Sequence, residues 1–377
     1  MGMKLIIAGG GIGGMATALA LHRAGIEFKL FEQAATFAEA GAGMSLWPNA
    51  TRVLRSLGVL ESVAARGEEV THFNLQRPDG NMLAQLPMAG FATPALCLHR
   101  ADLHRALRDA LPASCLETEQ TLQSFVETAG GVVAQLASGR RIEADGLVGA
   151  DGIRSAVRAQ LHGGKDFTYR GYCIWRGIAQ EIPGGIRGHI SETWGAGRRF
   201  GILPMGRGRV CWYATRNSPA RQGDGPEGRK AEVLGLFADW HRPIAALIAA
   251  TPPADIIKHD ARDRPPLPHW GTGRVTLLGD AAHPLTPNVG QGACLAIEDA
   301  AALAKCLSVS GDVATAFRAY ANMRRPRVAR IARQSRHIGM IGQWENRWLV
   351  QARNFVTRLV LSHSAEMPLN SVYAYEV

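Results

Sequence analysis

The segment that most restricts the fold lies at the amino end. Lys4–Ala8 is a short apolar run with strand character, and it leads straight into Gly9-Gly10-Gly11-Ile12-Gly13-Gly14. From Met15 the apolar residues take helical spacing through Ala18 and Leu19 as far as Gly25, and residues 28–31 then form a second strand ending at Glu32. Strand, glycine turn, helix, strand and acid is the order of a dinucleotide site. Gly9 permits the tight turn, Gly11 lets the backbone approach a pyrophosphate, and Gly14 lets helix and strand pack closely. The helix start offers unpaired N–H groups and a partial positive charge to phosphates. Glu32 suits the hydroxyls of an unphosphorylated ribose, as in FAD or NAD, and disfavours NADP at this site. The plain alternative is a tight strand–helix turn with no ligand.

Two later segments have the same style. Residues 146–149 form a strand that ends in Ala150-Asp151-Gly152-Ile153-Arg154-Ser155 and opens a helix. Residues 274–278 form another, followed by Gly279-Asp280-Ala281-Ala282-His283-Pro284, then Pro287-Asn288-Val289-Gly290-Gln291-Gly292, then a long helix over 293–307. With Ser45-Leu46-Trp47-Pro48-Asn49-Ala50, Leu98-His99-Arg100-Ala101-Asp102-Leu103 and Gly171-Tyr172-Cys173-Ile174-Trp175-Arg176-Gly177, the three segments resemble the single-component FAD-dependent aromatic hydroxylases of the para-hydroxybenzoate hydroxylase fold. Within that group the chain is most similar to salicylate, 3-hydroxybenzoate and 6-hydroxynicotinate monooxygenases.

The resemblance implies an α/β fold: a Rossmann-like FAD-binding domain, an inserted antiparallel β-sheet substrate domain and C-terminal helices. It implies that Gly9, Gly11, Gly14 and Glu32 hold the ADP half of FAD, and that Arg100 meets its pyrophosphate or ribose region. Asp280 binds the ribityl or pyrophosphate linkage. Pro287 lies beside the isoalloxazine, and the backbone of Gly290, Gln291 and Gly292 contacts its pyrimidine edge. Asp151 and Arg154 belong to a motif linked to FAD and NAD(P)H alike. The implied reaction is hydroxylation or epoxidation of a small aromatic or enolic substrate, with anionic substrates among the candidates. It uses O2 and NADH or NADPH as a transient co-substrate, through a flavin C4a-hydroperoxide. A flavin reductase or dehydrogenase on the same fold is the alternative.

The middle of the chain changes character. Residues 71–76, 82–86, 190–194, 200–203 and 210–215 are short strand candidates separated by glycine-rich turns, which suits an antiparallel sheet. Period-two alternation puts Cys211, Tyr213 and Thr215 on one face and Val210, Trp212 and Ala214 on the other. Arg199, Cys211 and Tyr213 are the candidates for ordering substrate, with plain sheet packing as the competing reading. Two departures separate the chain from urate-oxidising relatives: Cys211 stands where they have a tyrosine, and Asn288 where they have an acid. No dedicated base for a phenol is visible, so an already activated enol, enolate or amino-substituted ring is expected. His283 reads as loop support ahead of a catalytic base. The expected division is a discontinuous FAD domain over 1–70, 97–165 and 258–340, a substrate domain over 71–96 and 166–257, and a helical tail over 341–377 that carries Trp344, Trp348 and Leu349.

Composition bounds the rest. The 377 residues suggest about two domains. Six cysteines without a CxxC pair point to free thiols, no metal site and a cytoplasmic protein. No window approaches the ~18 consecutive apolar residues of a membrane span, so membranes are set aside as partners. The net charge of +10 raises nucleic acid as a partner. However, six of the positive charges are Arg324, Arg325, Arg327, Arg330, Arg333 and Arg336, in one predicted helix without interleaved aromatics. A solvated or interdomain helix paired to acids is the preferred reading, and a monomer or homodimer is expected.

Overall fold

The computed structural model describes residues 3–37, 42–88, 90–164, 167–180, 186–362 and 370–377. The expected division between 165 and 166 therefore falls outside the described residues.

The three motif strands lie side by side. A six-stranded sheet runs in the order Gly271–Thr272, Val275–Leu277, Gly146–Gly149, Lys4–Ala8, Glu27–Phe31, Leu116–Glu117. Lys4–Ala8 pairs in parallel with both Gly146–Gly149 and Glu27–Phe31, and Gly146–Gly149 pairs in parallel with Val275–Leu277. Parallel pairing brings the carboxyl ends of the three strands to one edge of the sheet, so the loops that follow them open on one crevice. The helix Ile12–Arg23 that leaves the first loop is apolar nearly all round, with Met15, Ala16, Ala18, Leu19 and Leu21 buried. Such a helix belongs inside, and it packs against Gly292–Val309, the helix that leaves the third loop.

A second sheet has seven strands in the order Ile257–Asp263, Thr168–Gln180, Arg209–Asn217, Arg198–Pro204, His189–Trp194, His72–Gln76, Met82–Pro87. Its pairings are antiparallel except for His189–Trp194 with His72–Gln76, which is parallel. All five sequence-expected strands belong to it. The edge strand Ile257–Asp263 carries the sheet past the expected boundary at 258. It was missed because its sequence, Ile-Lys-His-Asp-Ala-Arg-Asp, is mostly polar, as an edge strand can be. The outer face of the sheet is covered by Arg229–Phe237 and Ile244–Ala250, with Trp175, Trp212, Phe200, Phe237 and Trp240 in one aromatic core. Trp212 is on this outer side, which leaves Tyr213 and Arg176 on the inner one. The loop over 218–228 is tied down: Arg229 holds Asp224, Lys258 donates to Glu232 and to the Gly223 carbonyl, and the Arg221 N–H donates to Asp260.

The arginine-rich segment lies in the helix Val313–Gly342, which continues through Pro326. Arg324 is buried against Glu298 at 2.6 Å and Asp299 at 2.7 Å, and Arg327 pairs with Glu298 at 2.7 Å. The two innermost arginines are therefore paired to acids. Among the described residues all six cysteines are free, no group of His, Cys, Asp and Glu is placed to hold a metal ion, and no helix is long and apolar enough to cross a membrane.

Candidate active site

Two helices begin at the crevice without a side-chain cap and without an acid in the first turn: Ile12–Arg23, after Gly11, and Gly292–Val309, after Gln291. Their terminal N–H groups are left for a ligand. The glycines between strand and helix are fixed by contact. Gly9 has φ +104°, a conformation L side chains rarely adopt, and a Cβ on Gly14 would lie 1.9 Å from the Gly9 carbonyl oxygen. His104 Nε2 braces the turn 2.6 Å from the Gly10 carbonyl oxygen. Glu32 accepts from the Gly10 N–H at 2.7 Å and the Ala34 N–H at 2.9 Å. Each carboxylate oxygen keeps a second lone pair for a ribose hydroxyl.

At the far end of the crevice Gly290 has φ +62°, and a Cβ there would come within 2.8 Å of Ser45 Oγ and 2.9 Å of Trp47 Nε1. Gly292 faces open space instead, so its backbone is accessible to a flat ring. Pro287 is exposed beside it. The Gln291 side chain turns away and accepts from Asn49 Nδ2 at 2.9 Å, so only its backbone is available on the crevice side. Asp280 is exposed to the crevice, yet protein crowds it closely enough that desolvation raises its pKa, against the lowering influence of His283 and Arg100. Arg100 is likewise exposed. An elongated ligand with a diphosphate at one end and a planar ring at the other fits this cradle. Asp151 plays a different part from the rest: its Oδ2 accepts from the N–H groups of Ala156 and Val157 and so caps a helix, while Oδ1 is buried without a hydrogen bond among the described residues. Burial raises its pKa, and the Ser155 side chain, then those N–H groups, oppose the rise.

The crevice loops are braced from behind by Arg158, which the sequence did not mark, and by His283, which the sequence marked as loop support. Arg158 donates to the carbonyls of Ala281 and Ala282 at 3.0 and 2.9 Å. His283 Nε2 lies 2.5 Å from Asp299 Oδ2, which also meets the Gly279 N–H, so His283 supports the loop. Burial alone would raise the Asp299 pKa, but His283 and Arg324 outweigh it and the net shift is downward.

The inner face of the seven-stranded sheet adjoins the turn at Asn288, which Arg199 and Tyr172 of that face hold. Register places Arg176 beside Tyr213, Tyr213 beside Gly201, and Gly201 beside Glu192. Tyr213 is half-buried, and burial, then the neighbouring Glu192 carboxylate, raise its pKa well above the ordinary phenol range. The Arg176 guanidinium makes no hydrogen bond or ion pair among the described residues, and it lines a cavity of about 440 Å³ with Ala42, His99, Arg209 and Cys211. Burial lowers its pKa. Neither Arg176 nor Glu192 was singled out from sequence. Alternation within each strand could not find them, because only the pairing register puts both on the face of Tyr213.

Arg199 and Cys211 share that face but are committed to the protein. Arg199 is fully buried and donates to Asn288 Oδ1 at 2.6 Å, Gln343 Oε1 at 3.0 Å and Glu192 Oε1 at 3.2 Å. Tyr172 also donates to Asn288 Oδ1, at 3.1 Å. These bonds tie the sheet to the turn that carries Pro287. Cys211 is wedged against Gly43 and Met205, and burial pushes its thiol up to about 11.

The chain was compared with known proteins. The family described as an FAD binding domain matches residues 3–335. The chain is 41% identical over 365 residues to an aurachin C monooxygenase/isomerase of Stigmatella aurantiaca, covering 96% of this chain and 95% of that one. It is 33% identical over 362 residues to a 6-hydroxynicotinate 3-monooxygenase of Bordetella bronchiseptica, covering 92% of each. Its structure resembles HpxO of Klebsiella pneumoniae complexed with FAD and uric acid, with a TM-score of 0.87 and 27% identity, covering 99% of this chain and 95% of that one. With that match over most of the chain and those identities, this chain belongs to the family of single-component FAD-dependent aromatic monooxygenases.

Proposed function

We propose that this chain consumes NAD(P)H and O2 to insert one oxygen atom into an oxygenated nitrogen heteroaromatic ring, held between the flavin and the inner sheet face. The observation that carries the reading is the link between two regions: an uncapped helix start with open backbone at Gly292 follows the Asn288 turn, and Arg199 and Tyr172 tie that turn to the sheet face that carries Arg176 and Tyr213. The relatives named for 6-hydroxynicotinate and crystallised with uric acid support a nitrogen heterocycle bearing oxygen.

The chemistry that FAD supplies when bound is acceptance of hydride from NAD(P)H and activation of O2. The residues supply the setting. The helix start at Gly292 favours negative charge on the adjacent ring edge. Arg176 offers a positive charge to an enolate or carboxylate oxygen of the substrate, which accounts for recognition of an anion without a dedicated base. Tyr213 keeps its proton at neutral pH and donates it in a hydrogen bond to a substrate oxygen. Arg199 acts at one remove by holding Asn288, and Cys211 forms wall.

Anaerobic flavin reduction by NADH and NADPH, with and without 6-hydroxynicotinate, urate, hydroxyquinolines and simple phenols, tests this. Faster reduction with a nitrogen heterocycle is expected. No acceleration by any of them, or a stronger response to the phenols, rejects the substrate class.

A further inference from the structure

A helix on the surface of a globular protein normally turns its apolar stripe inward. The tail helix Arg347–Ser362 does the reverse. Its innermost side chain is Arg353, only 4% exposed, which donates to the carbonyls of Gly195, Ile341 and Gly342 and lies over the Trp194 ring. Facing outward are Trp348 at 63%, Leu349 at 46%, Phe355 at 69% and Val356 at 53% exposure. They sit at positions i, i+1, i+7 and i+8, so they form one stripe along two turns. Scattered exposed apolar residues are ordinary, but a continuous stripe marks a contact surface. The apolar surface continues onto the body of the protein through a groove of about 690 Å³ lined by Met82, Leu83 and Trp194 beside Phe355.

Charge selects the occupant. The helix has no Asp or Glu, and the exposed Arg347 and Arg358 flank the apolar stripe. The preceding helix adds exposed Arg330 and Arg333, and the chain carries +10 overall. A second copy of this chain would set arginines against arginines. An anionic bilayer meets both features at once, with apolar side chains entering the headgroup boundary and arginines pairing with phosphates. At 1.5 Å per residue the helix is about 24 Å long, enough to lie on a membrane and too short to span one. We propose that Arg347–Ser362 docks this enzyme on an anionic lipid surface. The absence of a spanning segment in the sequence does not bear on this mode, which needs only exposed side chains.

The test is co-sedimentation of the full-length, FAD-loaded protein with phosphatidylcholine vesicles, with and without phosphatidylglycerol, at low and high salt. Binding is expected only to the anionic vesicles, weakened by salt. It should fall about tenfold or more in W348E/F355E and also in R347E/R358E, which leaves the apolar stripe intact. Flavin absorbance and NAD(P)H oxidation in solution stay at wild-type levels in W348E/F355E, which separates lost docking from lost folding. Failure to bind anionic vesicles, equal binding to neutral ones, or binding that both variants retain overturns the proposal. So does a wild-type dimer that W348E/F355E converts to a monomer.

Discussion

In the proposed site, recognition on the cradle side of the crevice is done by backbone. Gly9, Gly14 and Gly290 are shaped by close approach, Gly292 opens onto free space, and the donors available to a ligand are the first N–H groups of two helices. On the sheet side it is done by side chains: Arg176, Tyr213 and Glu192 project from strands whose backbone groups are spent on pairing. A site made of backbone tolerates almost no substitution and stays the same whatever the substrate. A site made of alternating side chains can be rewritten without refolding the sheet. The proposed function therefore assigns cofactor identity to the first region and substrate choice to the second.

The comparison breaks most visibly at Gly14. G14V puts methyl groups where the Gly9 carbonyl stands, so the expected result is colourless protein with no flavin absorbance and a stability loss of about 3 kcal/mol or more by urea titration. Next is R324M. It removes the buried guanidinium that bridges Glu298 and Asp299, leaving Arg327 as the remaining cation on Glu298 and His283 on Asp299, and a loss of roughly 3 kcal/mol is expected, with weaker flavin retention because Asp299 also holds His283. A sheet-side change has a different signature. Y213F leaves flavin content unchanged and lowers coupled product formation by roughly tenfold to a hundredfold, with more of the NAD(P)H ending in hydrogen peroxide. If Y213F lost flavin as G14V does, the separation between the two regions would fail.

The smallest effect is expected at Cys211. C211A costs about 1 kcal/mol and leaves flavin binding intact. Its thiol provides a pH test. The folded state holds this proton more tightly than the unfolded chain, whose ordinary value is about 8.5. The stabilisation is therefore complete below the ordinary thiol range and is lost as pH rises through about 11. Peptide-resolved alkylation of the folded protein should leave Cys211 unmodified at pH 8 and label it only near that pH.

Legibility in the sequence follows the same divide. The strand–helix order of the cradle could be read because glycines and turns are local signals: the loops that carry Gly9, Gly11 and Gly14, Asp280 and the 290–292 turn follow parallel strands of one sheet. Asp151 reads the same way in sequence, yet its carboxylate caps a neighbouring helix. Alternation grouped Cys211, Tyr213 and Thr215 on one face, but it could not show that Arg199 is consumed by Asn288 and Gln343, which are distant in the chain, and by Glu192 on the neighbouring strand. The same blindness hid Arg158, whose role is set by two carbonyls more than a hundred residues away. The edge strand Ile257–Asp263 escaped notice because an edge needs little apolar patterning.

Oxygen insertion is the claim on which the two-region account rests, and isotopic labelling tests it most directly. The compound that most accelerates flavin reduction should be turned over with NAD(P)H under 18O2 in unlabelled water, and the product analysed by mass spectrometry. One labelled oxygen atom per product molecule is the expected result. Product formed without label, or equally fast without O2, would contradict the account and make the chain a flavin dehydrogenase on the same fold.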